Sequence, residues 1–382
     1  MSKDPGSVFQ PTPRSRALAR CALTVLGCVI VLGARQVIGV PAATATVAPV
    51  SLGYPAVIVT PGLNIPDPMV VEVDQVYFMF SSQTDPWAPN VPLMVSGSLT
   101  AWPPETLDAM PVLPGWAGGG STWSPDVRKV GHQWVMWFNA ILANGPGTTK
   151  CIGVATSPDV WGPYSSTRSL PLVCQLDHLG SIDPRSFVDP VGRLWLLWKS
   201  DDNADVNGTT HTTIYVQQLS SSGTSLVGAP VALVTADQPW EGRIVEAPDM
   251  VFAGGSYWLF FSGNWYNQGA YAIGVEQCAG PTGPCAPVEP GSWLSSDAQG
   301  SGPGEQSLFF DGSRWWMLYS PYAVKYQTPT TRPVALARLT FGPQGPSIVA
   351  PGAATWDAPG PTDPLPAAQR VEHRASRHTK RR

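Results

Sequence analysis

Four acidic residues recur at one place in a repeating pattern. They are Asp67 in Ile65-Pro66-Asp67-Pro68, Asp183 in Ser181-Ile182-Asp183-Pro184, Glu246 in Val245-Glu246-Ala247-Pro248 and Glu305 in Gly304-Glu305-Gln306-Ser307. A fifth copy, Trp123-Ser124-Pro125-Asp126, carries its acid slightly later. Carboxylates gathered in a partly dehydrated pocket repel one another, so at least one should keep its proton above the usual range. Cleavage of a glycosidic bond needs that division: one carboxylic acid protonates the leaving oxygen, and one carboxylate activates water or attacks carbon. Taken singly, an Asp-Pro pair is more simply a turn in which the Asp caps a backbone group. Recurrence at one repeat position is what favours chemistry. Calcium binding is another use for such a cluster, but there is no DxDxDG-type loop, so a metal would have to be assembled from distant strands.

The elements that position these residues repeat with them. Each acidic segment leads through an apolar strand and a turn to an aromatic-rich strand, marked by Tyr77, Trp134, Trp195, Tyr257 and Trp315, about 57 to 62 residues apart. That period suits propeller blades. Segments such as 151–157 and 214–219 read as third strands. Four strands in each of five units predict an all-β, five-bladed β-propeller whose first strands line the axis. The first residues of the units then meet at one mouth. A long sandwich or two stacked barrels would hold as many strands, but the regular period argues against both.

Composition agrees. Of 382 residues only 13% are charged, while 38 Gly and 41 Pro imply many turns. A net charge of -4 gives no case for a nucleic-acid partner. Sixteen Trp exceed ordinary core needs; most should fill the spaces between sheets, and a minority can stack on a sugar ring. Trp87, in a loop with Asp85, Pro86 and Pro89, and Trp123, at the second unit's entry, are expected to border the cleft. Trp123 could equally wedge two blades.

Residues 1–50 read as an export segment and linker: Arg14, Arg16 and Arg20 precede an apolar run over 21–34, and Ala43-Thr44-Ala45 offers a cleavage site. An uncleaved membrane anchor is the second reading and a lipid-modified Cys28 the third. The propeller is expected over 51–350. Residues 351–382 are Pro/Ala-rich and then basic, a composition expected to stay disordered and able to attach weakly to an anionic cell envelope. Four cysteines remain, an even number that favours disulfides in an exported chain. Cys278 and Cys285 flank a Gly/Pro turn expected between the fourth and fifth blades, which leaves Cys151 with Cys174. No CxxC or zinc-like spacing occurs.

These segments resemble glycoside hydrolase family 43, with its five-bladed arabinanases, furanosidases and xylosidases, over roughly residues 55 to 345. The likeness rests on Pro66-Asp67-Pro68, Trp123-Ser124-Pro125-Asp126-Val127, Cys151-Ile152-Gly153-Val154-Ala155-Thr156-Ser157 with Gly162-Pro163-Tyr164, Ile182-Asp183-Pro184-Arg185-Ser186-Phe187 and Val245-Glu246-Ala247-Pro248, in order and at blade spacing. The resemblance implies an inverting hydrolase of arabinofuranosyl or related pentosyl linkages in an oligosaccharide or polysaccharide. Within it Asp67 is the base, Glu246 the acid, and Asp183 tunes the acid and positions substrate. No cofactor is required, although a structural cation at the axis fits the family. Many members carry Gly-Pro-Gly-His in the fifth blade where this chain has Gly302-Pro303-Gly304-Glu305. Glu305 there could bind a cation, pair with an Arg or alter a substrate subsite. Glu241 is a rival acid outside the motif. A non-catalytic sugar-binding propeller of the cell envelope is the alternative function.

Overall fold

The computed structural model describes residues 56–57, 63–204, 208–296, 301–321 and 332–349. The export segment and the basic tail lie outside the described residues. Among those described, no helix is long and apolar enough to cross a membrane.

Five antiparallel sheets are arranged as a five-bladed β-propeller. Blade one holds Met69–Val73, Val76–Phe80, Pro92–Ser96 and Leu107–Asp108, and blade two holds Ala117–Val130, Gln133–Leu142 and Lys150–Ser157. Blade three runs Ser181–Val188, Leu194–Ser200, Thr213–Leu219 and Leu226–Thr235; blade four runs Val245–Ala253, Ser256–Gly263, Ala272–Cys278 and Cys285–Pro287. Blade five combines Ser307–Phe310, Trp315–Tyr319, Ala335–Gly342 and Gly345–Ile348 with the N-terminal strand Ala56–Val57. That early strand pairs antiparallel with Ala335–Gly342, so the two ends of the propeller sequence share one sheet.

Side chains alternate across a strand, so each blade can bury both faces. Phe78 and Phe80 pack on blade two while Met79 packs on blade five. Val135 and Trp137 meet Leu194, Leu196 and Trp198 between blades two and three. Trp195 and Leu197 face blade four, and Trp258 and Phe260 face blade five. One apolar cluster thus fills each space between blades, which is where most of the Trp excess goes.

This parity corrects the repeat alignment in blade three. Trp134, Tyr257 and Trp315 face the preceding blade, but Trp195 faces the following one, and Leu194 is the true equivalent. The cause is one extra residue in the turn after Val188. The Asp189 carboxylate organises that turn, accepting from the Val191 and Arg193 N–H groups and from Arg193 Nε and Trp195 Nε1.

Both expected disulfides are present, Cys151–Cys174 and Cys278–Cys285. The second joins the third and fourth strands of blade four, where Cys278 and Cys285 are direct partners. The loop it closes therefore lies within that blade, not between blades four and five.

Candidate active site

The innermost strands begin with a shared backbone device. Asp67, Ser124, Asp183, Ala247 and Glu305 all have left-handed backbones, with φ between 47° and 56°. Such a conformation costs a non-glycine residue on the order of 1–3 kcal/mol and clusters at functional sites. Here it turns each N–H toward the preceding blade. Asp67 N donates to Glu305 Oε2 at 3.0 Å, Ser124 N to Ser82 Oγ at 2.7 Å and Asp183 N to Asn139 Oδ1 at 3.3 Å. Ala247 N donates to Asp183 Oδ2 at 3.0 Å and Glu305 N to Ser262 Oγ at 2.9 Å. The five bonds close a ring around the axial mouth. Register shifts in blades two, three and four fall at this point, as expected where a bulge re-aims a side chain.

The ring revises the expected set of equivalent acids. Asp67, Asp183 and Glu305 are ring residues, but the fourth position is Ala247 and the second is Ser124. Glu246 comes one residue before the ring and Asp126 two after it. Asp126 belongs to a deeper layer with Arg185, Asp249 and Ser307. There Arg185 Nη1 approaches Asp126 Oδ1 at 3.3 Å and Ser307 Oγ at 3.4 Å, and Arg185 Nε lies 3.9 Å from Asp249. This guanidinium plugs the axis beneath the carboxylates.

Asp67, Ser124, Asp183, Pro184, Arg185, Ala247, Pro248 and Glu305 line one small axial hollow. Asp67 Oδ2 accepts from Ser82 Oγ, and Asp183 Oδ1 accepts from Ser124 Oγ at 2.9 Å. Burial raises the Asp67 pKa, with the Glu305 charge adding to it and Arg332 opposing. Burial and then the Glu246 charge push Asp183 up to about 7. Glu246 makes different contacts: Oε1 accepts from Tyr271 Oη at 2.7 Å and Oε2 from Lys199 Nζ at 3.0 Å. Neither Tyr271 nor Lys199 was singled out from sequence. A lysine inside the apolar strand Leu194-Trp195-Leu196-Leu197-Trp198-Lys199 was the available signal.

Glu305 takes the arginine-pairing course among its three options. Its Oε1 accepts from Arg332 Nη1 while Oε2 holds the Asp67 N–H. Both oxygens thus already have donors, one of them a guanidinium cation, so this donor set does not fit an axial cation. Among the described residues no group of three or more His, Cys, Asp or Glu is disposed to hold one. The rival Glu241 is buried, and its Oε2 accepts the Asp237 and Gln238 N–H groups at 2.8 and 2.9 Å. It caps a short 3-10 turn, which accounts for it structurally.

The two tryptophans differ. Trp87 is 94% exposed, in a loop whose Gln83 is bonded to the Thr122 backbone near the entry of blade two. Trp123 is half-buried, and Lys150 Nζ stands 4.0 Å from its ring centroid, covering one indole face.

Comparison with known proteins places this geometry. The family model described as glycosyl hydrolases family 43 matches residues 59–346. The extracellular endo-α-(1→5)-L-arabinanase 2 of Bacillus subtilis (strain 168) is 22% identical over 299 residues, which cover 69% of this chain and 56% of that protein. The chain thus spans only about half the length of the curated relatives it matches. A thermostable family-43 glycoside hydrolase superposes with a TM-score of 0.68 at 24% identity, over 82% of this chain and 99% of that one. An endo-1,4-β-xylanase from Bacteroides thetaiotaomicron gives 0.63 at 21%, over 75% and 95%.

Proposed function

Because the chain belongs to the glycosyl hydrolases of family 43, we propose that it is an exported glycosidase that cleaves arabinofuranosyl or related pentosyl linkages with inversion. The observation that carries this reading is the position of Asp183 between its two partners: it lines the axial hollow with Asp67, and the Glu246 charge bears on it. Asp183 spans blades three and four by accepting the N–H of Ala247, the residue next to Glu246. In the reaction, ionised Asp67 takes a proton from water as its oxygen attacks the anomeric carbon, and protonated Glu246 gives its proton to the departing oxygen. Asp183 bears on Glu246 through its charge and hydrogen-bonds the sugar. After one turnover Asp67 carries a proton and Glu246 does not, so a proton must return through solvent. In the free site, burial and the Glu305 charge hold a proton on Asp67, as in that second state.

Trp87, free to pack against the apolar face of a pentose, and Trp123 border the substrate cleft in this reading. No metal is needed, and dialysis against EDTA is expected to leave the rate unchanged. The paired disulfides and an extracellular relative support export. Weak attachment to the cell envelope through the basic tail is part of the same proposal.

The deciding experiment assays a panel of pentofuranosides and pentopyranosides, following the anomer released by NMR. Inversion is expected for the wild type. Glu246→Gln should lose the most rate on alkyl leaving groups, which need protonation, and the least on nitrophenyl ones. Full activity of Glu246→Gln on an alkyl glycoside, or retention of configuration, would sink the assignment.

A further inference from the structure

The sequence spacing behind the ring of inter-blade hydrogen bonds breaks in one blade. In four blades a short polar residue follows the ring residue at a spacing of fifteen: Ser82 after Asp67, Asn139 after Ser124, Ser262 after Ala247 and Ser320 after Glu305. Ser82, Asn139 and Ser262 each accept the ring N–H of the next blade. In blade three the extra turn residue makes the spacing sixteen, from Asp183 to Lys199. Strand pairing confirms the equivalence: Trp123 opposes Asn139, Glu246 opposes Ser262 and Ile182 opposes Lys199.

A lysine ammonium has three donors and no acceptor. It cannot take the ring N–H of blade four, and that N–H goes instead to Asp183. Lys199 is fully buried, and its Nζ donates to Glu246 Oε2 at 3.0 Å and to Asn203 Oδ1 at 2.8 Å. In blade five, too, the next ring N–H goes to the ring acid, Glu305, and not to Ser320, so what Lys199 adds is a cation against Glu246 itself. A lysine kept wholly from water needs such a counter-charge.

We infer that Lys199, with Tyr271 as second donor, is the positioning residue for Glu246, clamping its carboxyl and governing when that carboxyl can carry the proton it delivers. The inference rests on Glu246 being the proton donor. Among the described residues, the ionisable groups that face Glu246 are Tyr271 from its own blade, Lys199, Asp183 and Asp201 from blade three, and Glu305 from blade five. Among these only Lys199 is a cation. Lys150, from blade two, faces Asp201, Asp183 and Lys199.

The test compares pH profiles of kcat/KM for wild type, Lys199→Met and Lys199→Arg on an alkyl pentoside. An acid must be protonated to act, and removal of a cation favours the protonated form. The alkaline limb of Lys199→Met should therefore move to higher pH by about one unit, so that at a pH well up the limb the rate relative to its plateau rises about tenfold. Lys199→Arg, which keeps the charge, should leave the limb where it is. A lysine that only fills space would lower the rate at all pH values and leave the limb in place, and that result overturns the inference. If Lys199→Met does not fold, Lys199→Met with Glu246→Gln is examined by urea unfolding. Rescue by the neutral pair supports the clamp, and failure of both variants to fold makes Lys199 a core residue and rejects it. If Glu246→Gln alone leaves alkyl-glycoside hydrolysis intact, the functional reading itself fails, an outcome separate from an unmoved limb in an enzyme that depends on Glu246.

Discussion

At the scale of single residues, the site holds more carboxyl groups than it has charges to balance them, and their protonation links function to stability. Burial and the Glu246 charge push Asp183 up to about 7, above the ordinary value of 3.8. The sign follows from proton binding. Between those values the folded chain keeps a proton at Asp183 that the unfolded chain releases. This contribution to stability is therefore whole below the unfolded pKa and is lost as pH rises through about 7. Asp183→Asn removes the titration. Its amide can accept from the Ala247 N–H and donate to Ser124 Oγ, so the hydrogen bonds survive. We expect the variant to lose most activity yet unfold at a higher temperature than wild type at pH 8, with the gap closing near pH 4. Differential scanning calorimetry at the two pH values measures it, and a lower melting temperature at pH 8 contradicts it. Asp67 gives a second prediction. A base must be ionised, and burial together with Glu305 holds its proton on. The acid limb of kcat/KM should thus lie above the normal carboxylate range. Glu305→Gln deletes a negative neighbour and leaves the Arg332 cation unopposed, which favours ionised Asp67, so that limb should move to lower pH. A limb unmoved or raised in Glu305→Gln would separate Glu305 from Asp67 function.

At the scale of elements, the disulfide of blade four makes a limited claim. It links adjacent strands across a sequence separation of 7, so it removes little chain entropy, on the order of 2–3 kcal/mol at most. Replacing Cys278 and Cys285 with Ser should leave a folded, active protein whose loop 279–284 is cut faster by protease; loss of activity in the intact double variant would refute this. Elements were also where the sequence was most legible. Alternating strands, Gly/Pro turns and aromatic positions near sixty residues apart give the blades, because packing between sheets demands large apolar side chains at a fixed period. Register was less legible. The aromatic Trp195 sits beside its true equivalent Leu194, and one residue added to the Asp189–Arg193 turn is invisible where strands match by type alone. The same slip hid Lys199, which reads as a strand end until the pairing with Ile182 places it opposite the ring. Glu246 was found by motif and then displaced by one residue, because the left-handed step falls on Ala247 and nothing in an alanine announces such a backbone. The acids of the ring were legible as chemistry; the donors that govern them, Tyr271 and Arg332, come from loops and distant strands with no periodic signal.

At the scale of the whole molecule, the propeller is closed twice, and the closures cooperate. Outside, Ala56–Val57 pairs with Ala335–Gly342, matching Ala56 with Leu336 and Val57 with Ala335. Inside, the Asp67 N–H reaches Glu305 Oε2, joining the first and last blades at the axis. Between them lies one apolar cluster, with Val70, Met79 and Met94 against Trp316, Leu318 and Leu336. Without the N-terminal strand, blade five would expose an unpaired edge at Ala335 and Leu336, since Leu339–Gly342 is already paired with Gly345–Ile348, and the contact of blades one and five would rest on that cluster, on the Ile65 N–H to Arg332 carbonyl bond and on side chains near the axis. The strand itself contributes about two backbone hydrogen bonds, each worth about 1 kcal/mol net. Its position makes the effect functional, because loosening blade five also loosens Glu305 from Asp67. Two truncations separate the contributions. Deletion of residues 2–50 should leave melting temperature and kcat/KM unchanged. Deletion of residues 2–57 should lower the melting temperature by a few degrees, and should lower kcat more than it raises KM, because Asp67 is displaced while substrate contacts on the other blades remain. Equal melting temperatures for the two truncations would show that the ring is held shut by its core and axis alone.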